Sequence, residues 1–392
     1  MGSLSRRRFL GSAAGAGLLG IAGPRTAHSA STINIGASLS LTGRFSDSAK
    51  YVEEGYRLWE AQTNDAGGIG GSQVKVTIYD DQSNPDTGRV LAQRLIDRNG
   101  VVAILGPYSS PITDAEAVVV ERAQVPLIGT IASDSSIWAR RNLKWTFQAF
   151  PSSNYDHEGF IKIVKEKGEG IKKLAIIFEQ SPFSIAGKDW AVSYAKKLGI
   201  PVDAYGYAPG NQDFRSIIEH IVNSGADVVS MGGYYQPSIA LTRQMMERAF
   251  NPKGYQFIEA SDGVTKDALG ANAEGIFGRS AWEASTDTPE NKAFVAAYQK
   301  KYNRKPSYHS ASAYAAGQLL AAAIKAKGAK SEAIRDFIAT SSVDTIMGSF
   351  KVNDKGQQTG YRYLTIQWQG GTQKIVGGNS KTAAEWPKPA WK

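Results

Sequence analysis

Cysteine is missing from this chain altogether. That excludes disulfide staples, thiol nucleophiles, thiolate metal sites and iron–sulfur clusters. Histidine is nearly missing: four occur in 392 residues. His157, His220 and His309 stand far apart, no two have zinc-site spacing, and H-E-x-x-H does not occur. There is no G-x-S-x-G elbow and no Walker loop either. Catalytic residues, metal ligands and a cofactor are therefore not expected. No stretch after residue 30 reaches the eighteen apolar residues of a membrane span. Neither sign of charge dominates locally. The densest cluster, Lys162 to Lys173, interleaves Glu166 and Glu169, as a solvated helix end does.

What the chain does have begins at its N-terminus. Ser5-Arg6-Arg7-Arg8-Phe9-Leu10 has the form of a twin-arginine export signal. A Gly/Ala-rich apolar run follows to Gly23, then small residues around Ala27–Ala30 suited to cleavage. Residues 1–30 are thus expected to be a signal peptide, with the mature protein in the periplasm. Removing them takes away four arginines and no acid, leaving 41 basic against 36 acidic residues, a net of +5. That mildly basic surface is not a nucleic-acid footprint.

The remaining length suits two cores. Short apolar runs alternate with helical patterns, the signature of βαβ units around parallel sheets. Strand-like segments are Ile33–Leu41, Val74–Tyr79, Val101–Leu105 and Pro126–Thr130, then Lys173–Phe178, Pro201–Tyr207, Asp227–Met231, Tyr255–Ala260, Gly275–Phe277, Gly348–Val352 and Gly360–Trp368. Helical stretches lie between them, including Ser310–Ala326. Ala66-Gly67-Gly68-Ile69-Gly70-Gly71 follows a helix and precedes a strand, the wrong order for a phosphate cradle, so it reads as a helix-ending turn. The polar Pro/Trp-containing tail is expected to be a loose end or a strap.

Several pieces recur in a fixed order: Ile33-Asn34-Ile35-Gly36, Leu41-Thr42-Gly43, Gly55, Asn64-Asp65-Ala66-Gly67-Gly68-Ile69, Tyr79-Asp80-Asp81, Ile104-Leu105-Gly106-Pro107, Gly232-Gly233-Tyr234 and Ser342-Val343-Asp344-Thr345-Ile346-Met347-Gly348. Together they resemble the periplasmic leucine/isoleucine/valine-binding protein family, the solute receptors of ABC importers, from about Ile33 to Gln373. The resemblance implies an α/β type I periplasmic binding fold, two Rossmann-like lobes joined by a three-strand hinge. On that pattern lobe 1 is 31–149 with 280–346, lobe 2 is 150–279 with 347–373, and 374–392 is the tail. The crossings are expected near Phe147–Ser152, Phe277–Trp282 and Thr345–Ser349. Where some members of the family carry a disulfide, this chain has Ser83 and Ser109.

In open α/β sheets, ligands sit beyond the carboxyl ends of strands. Serine hydroxyls and free N–H groups in those loops suit a carboxylate. The resemblance maps the family's carboxylate pocket onto Ser110 and the loop Ile131, Ala132 and Ser133. It maps the ammonium partners onto Tyr234 and, after a one-residue slip, Asp262, which replaces a longer glutamate. An aspartate in Ser-Asp-Gly is also an ordinary turn residue. Phe183, Tyr308 and Tyr108 would wall the pocket, with Phe45 and Trp282 at its entrance. The expected function is a monomeric, non-enzymatic receptor that closes on a hydrophobic or branched-chain amino acid and docks on an inner-membrane ABC permease. Aromatic carboxylates, short amides, or a role as a soluble sensor are the alternatives.

Overall fold

The computed structural model of the chain describes residues 32–261, 263–378 and 380–392. The expected export signal and Asp262 both lie outside the described residues.

Five parallel strands form the first sheet: β1 (Thr32–Leu39), β2 (Gln73–Asp80), β3 (Ala103–Leu105), β4 (Leu127–Gly129) and β5 (Thr146–Gln148), in the order β2-β1-β3-β4-β5. The central strands β3 and β4 are wholly buried and apolar, as strands covered on both faces must be. The edge strand β2 instead alternates, burying Val74 and Val76 and exposing Gln73 and Lys75. Helix α1 (Ser46–Asp65) ends in the glycine run, where Gly67 and Gly68 take φ of 95° and 79°. That turn is the expected one, since only glycine enters this region without strain. Helix α2 (Pro85–Asn99) opens on Asn84, whose side chain accepts from the N–H groups of Asp86 and Thr87, with Pro85 in its first turn. Helix α3 (Ser110–Ala123) starts directly after β3, and the short α4 (Ser136–Arg140) follows β4.

The second sheet uses later segments. Helix α5 (Glu158–Lys167) precedes β6 (Leu174–Glu179), and α6 (Pro182–Lys197), β7 (Val202–Tyr207), α7 (Arg215–Asn223), β8 (Val228–Gly232), α8 (Tyr235–Glu247) and β9 (Gly254–Phe257) continue the alternation. The short α9 (Val264–Leu269) leads to β10 (Phe277–Ser280). Three further helices, α10 (Pro289–Tyr302), α11 (Tyr308–Lys327) and α12 (Ser331–Thr340), return to the first sheet and share its core through Phe294, Leu319 and Ile334. Gly55 of α1 faces Ser310 and Ala313 of α11 so closely that a Cβ there would lie 2.3 Å from the Ser310 carbonyl oxygen. The glycine is what lets the two helices meet.

A small hairpin, β11 (Val343–Thr345) with β12 (Gly348–Phe350), precedes β13 (Leu364–Gln369) and β14 (Thr372–Val376). The second sheet runs β14-β13-β10-β9-β8-β6-β7, parallel from β10 to β7 and antiparallel at β13 and β14. The chain thus passes between the sheets after β5, after β10 and before β13. The last passage falls later than expected. Phe350 and Val352 are buried in the first core, and Gly356 accepts a backbone hydrogen bond from Gln148 of β5. The second sheet likewise extends past Gln373, to Val376 of β14. The tail is a strap. Trp386 packs on Phe277, the Lys388 N–H donates to the Lys253 carbonyl, and Trp391 Nε1 donates to the Phe250 carbonyl.

The three passages are tied together by one arginine. Arg279 Nε lies 2.6 Å from Asp156 Oδ1 of the first passage, and its guanidinium carbon lies 4.5 Å from the ring centroid of Tyr363 in the third. The Tyr363 hydroxyl in turn donates to the carbonyl of Pro151. Among the described residues, no helix is long and apolar enough to cross a membrane.

Candidate functional site

The carboxyl ends of both parallel sheets face one another, and their polar loops meet in a cleft between the two lobes. From the first lobe, β3 leads through Tyr108 into α3, so Ser110 stands in the first turn of that helix. The Ser110 Oγ accepts from the N–H groups of Ser133 and Asp134, each at 3.2 Å. A hydroxyl that accepts twice still holds its own proton, and that proton is free to be donated to an anion. Gln148 of β5 fixes the same loop, its Nε2 lying 3.3 Å from the carbonyls of Ala132 and Ser133.

The second lobe supplies the opposite charge. Strand β9 ends at Phe257, three residues before the expected boundary, and the chain turns so that Glu259 enters the cleft. Glu259 Oε1 accepts from the Tyr108 hydroxyl at 2.7 Å, across the lobes. Burial, and then the Glu259 charge, push the Tyr108 phenol well above its ordinary pKa, so it donates as a neutral hydroxyl. Tyr234 precedes α8 and is wedged between the lobes, its ring centroid 4.4 Å from Phe45 and 4.9 Å from Phe183. Its hydroxyl has no partner and is held neutral by burial and by the nearby Glu179.

The cavity these groups enclose measures about 20 Å3, room for one water but no larger ligand. This is the closed arrangement. Larger cavities lie beside the Arg279 hub, between the passages, α5 and β14 (about 700 Å3), and at the cleft mouth (about 590 Å3), but the convergent polar groups described above line the small one.

Of the expected site residues, Tyr108, Ser110, Ile131, Ser133, Phe183, Tyr234 and Tyr308 line this cavity together. Ala132 does not: its side chain packs with Ile137 and Trp138 in a small separate core. Phe45 is buried against Tyr234, and Trp282 lines the mouth, anchored by its Nε1–H to Asn291 Oδ1. Four lining residues were not expected: Glu259, Arg279, His309 and Ser109. The Arg279 side chain is 6% exposed, and Asp156 already neutralises it. Its positive charge is directed first at Asp156 and more weakly at Glu259. His309 packs between Tyr108 and Tyr308 at ring centroid distances of 5.3 and 4.0 Å. A glutamate inside the apolar run Phe257-Ile258-Glu259-Ala260 was the signal for the first of these, because an acid is costly to bury without a purpose.

Comparison with known proteins identifies the family and the fold. The family model described as "Periplasmic binding protein" matches residues 32–373. An "Amino acid binding protein" of Pseudomonas aeruginosa is 26% identical over 368 residues, covering 90% of each chain. A "Leu/Ile/Val-binding protein homolog 7" of Brucella suis is 26% identical over 379 residues, covering 91% of this chain and 93% of its own. Among solved structures, the isoleucine complex of a branched-chain amino acid transporter substrate-binding protein from Streptococcus pneumoniae superposes with a TM-score of 0.79 at 23% identity, covering 91% of this chain and 100% of its own. A solute-binding protein of an ABC transporter from R. palustris, in complex with 4-hydroxybenzoate, superposes with a TM-score of 0.78 at 22% identity, covering 92% and 98%. The fold is thus that of the type I periplasmic binding proteins.

Proposed function

Because the chain belongs to the periplasmic binding protein family, a family of solute-binding receptors, we propose that it captures a hydrophobic or branched-chain amino acid between its closing lobes and delivers it to an ABC permease. The observation that carries this reading is the opposition of Ser110 and Glu259 across the cleft. One end offers hydroxyl and N–H groups to a carboxylate, and the other offers a buried carboxylate to an ammonium. The relatives named for amino acids support the same ligand class. On this reading the protein is a monomeric receptor rather than a catalyst. It works in the periplasm, reached by the twin-arginine route, and takes no cofactor or nucleic acid. Asp262 would act at the ammonium end of the pocket.

A second reading is an aromatic carboxylate receptor. The aromatic walls Phe45, Tyr108, Phe183 and Tyr234 favour it, as does the relative solved with 4-hydroxybenzoate. A thermal-shift screen over leucine, isoleucine, phenylalanine, 4-hydroxybenzoate and acetamide separates the two. A ligand at about 100 times its dissociation constant adds about 2.7 kcal/mol to folded-state stability. Stabilisation by the amino acids supports the first reading; stabilisation by the benzoate alone replaces it with the second.

A further inference from the structure

Two acids stand at the carboxyl edge of the second sheet: Glu179 at the end of β6 and Glu259 just past β9. Tyr234 lies near both, and both charges oppose its ionisation. The first lobe meets the two acids differently. It presents a neutral hydroxyl, that of Tyr108, to Glu259. It presents a full positive charge to Glu179: Arg44 Nη1 lies 3.1 Å from Glu179 Oε2. The Glu179 side chain is 0% exposed and that of Arg44 33%. The Arg44 guanidinium carbon also lies 4.4 Å from the Phe45 ring centroid and 5.0 Å from that of Tyr234, so the cation is sandwiched as well as paired.

The loop that carries Arg44 is fixed from outside the cleft. Asp80 accepts from both the N–H and the hydroxyl of Thr42. Ser83 accepts from the Phe45 N–H and donates to the Thr42 carbonyl. Arg44 is therefore held ready when the lobes approach. Around it, Ser181 supports Glu179 through its side chain, and the hydroxyls of Tyr207 and Tyr234 have no hydrogen-bond partner. This is a polar pocket that a cation fits, and the chain fills it with its own.

Closing the cleft removes Glu179 from water, and a buried carboxylate left without a cation is strongly unfavourable. Opening the cleft withdraws Arg44 with the first lobe and rehydrates the acid. The cation at this position therefore comes and goes with closure, and while Arg44 is there no second cation fits. Building on the amino-acid receptor reading, we propose that Arg44 is a specificity-determining residue. It seals Glu179, so that the cleft closes on ligands with a single positive charge, placed at Glu259, and rejects basic amino acids.

The chain's lack of cysteine makes the test direct. Spin labels on Val90→Cys of α2 and Ile185→Cys of α6, both exposed, report the distance between lobes without any ligand. The labelled parent is compared with Arg44→Ala and with Arg44→Ala/Glu179→Gln. Arg44→Ala is expected to shift the population toward open lobes, and the second substitution to bring it back. In Arg44→Ala the closed fraction should rise as pH falls, because Glu179 then takes up a proton on closing; Tyr207, Tyr234 and Glu259, the other titratable groups near it, stay as they are in the parent. Calorimetry with L-leucine and L-arginine should show the arginine-to-leucine affinity ratio rising about tenfold or more in Arg44→Ala and falling again in the double variant. Identical lobe distances in all three proteins, or an unchanged affinity ratio, overturn the proposal. If neither amino acid binds any form, the ligand reading and the affinity half of the proposal both fail, and the lobe distances still decide whether Arg44 governs closure.

Discussion

The Tyr108 hydroxyl reaches across the cleft to Glu259, 151 positions later in the chain, and donates to it at 2.7 Å. The acid that a ligand ammonium would use is thus already engaged when the lobes are closed. An incoming amine must share Glu259 with the phenol or displace it, so Tyr108 marks the boundary between the empty closed form and the loaded one.

Glu259→Gln separates the two ligand classes. If the ligand is an amino acid, the substitution leaves its ammonium unpaired in a closed site, which costs about 3–5 kcal/mol. Leucine or phenylalanine binding should then fall by roughly a hundredfold or more, at about 1.4 kcal/mol per factor of ten. If the ligand is an aromatic acid without an amine, the same change removes a like charge and binding should hold or tighten. Calorimetry with leucine, phenylalanine and 4-hydroxybenzoate on both proteins checks this. Undiminished leucine binding would sink the ammonium role of Glu259.

Ser110→Ala is expected to weaken ligand binding about ten- to a hundredfold, because a hydrogen bond to a charged group contributes about 1.5–3 kcal/mol. It also removes the acceptor for the N–H groups of Ser133 and Asp134, so the loop after β4 should exchange its amide protons faster. Hydrogen exchange and calorimetry read the two effects separately. Unchanged affinity would place the carboxylate elsewhere.

Arg279→Met tests the hub of the three passages. Burial pushes the Asp156 carboxyl up to about 6, with Arg279 pulling the other way. A carboxyl raised in the folded state favours folding below its unfolded pKa, and that contribution is lost as pH rises through about 6. Without Arg279 the carboxyl rises further, so the variant should be destabilised by roughly 3–5 kcal/mol at pH 7.5 and by clearly less at pH 5. Urea denaturation at the two pH values measures this. A loss independent of pH would mean that lost packing, not the unpaired charge, explains the defect.

Trp386→Ala should lower stability by about 2 kcal/mol, in line with burying a large apolar side chain. The indole covers Gly254, where a Cβ would lie 2.3 Å from its ring, and lies tilted against Phe277. The loss should appear in thermal unfolding and leave ligand affinity unchanged, because the strap lies at the far end of the second sheet from the cleft.

Replacing Arg6 and Arg7 by lysine should keep the precursor in the cytoplasm. Cell fractionation reads the outcome directly. Normal periplasmic delivery of the unaltered chain in a strain without the twin-arginine translocase would overturn the export route.

The alternation of apolar runs and helical periods made both sheets legible, because parallel strands covered on two faces read as short continuous apolar runs. Boundaries were legible where glycine fixed them, as at the Gly67-Gly68 run that ends α1, and not where tertiary contacts did. β5 and β14 lie outside the strand runs read from the sequence; β5 is three residues long, and β14 is an edge strand that opens on the polar Thr372-Gln373-Lys374. The strand-end loops that hold Ser110 and Tyr234 followed from the general placement of ligands in such sheets, and the family resemblance picked out the two residues within them. Glu259 was missed because Tyr255–Ala260 reads as one strand. Nothing local reveals that it stops at Phe257. The pairing of Arg44 with Glu179 spans 135 positions and exists only once the lobes meet, so no local pattern encodes it.

The antiparallel addition of β13 to β10, with Phe277 opposite Gln367, has a consequence for biosynthesis. The second sheet cannot be completed until its last strands leave the ribosome, and the strap that seals its far end comes later still. The parallel core of the first sheet, ending at Gln148, is available much earlier. A chain cut short near its end would therefore carry a nearly finished first lobe joined to a second lobe with an open edge at β10. Such an edge invites pairing with other chains. Premature termination in this protein should show itself as aggregation rather than as a soluble fragment.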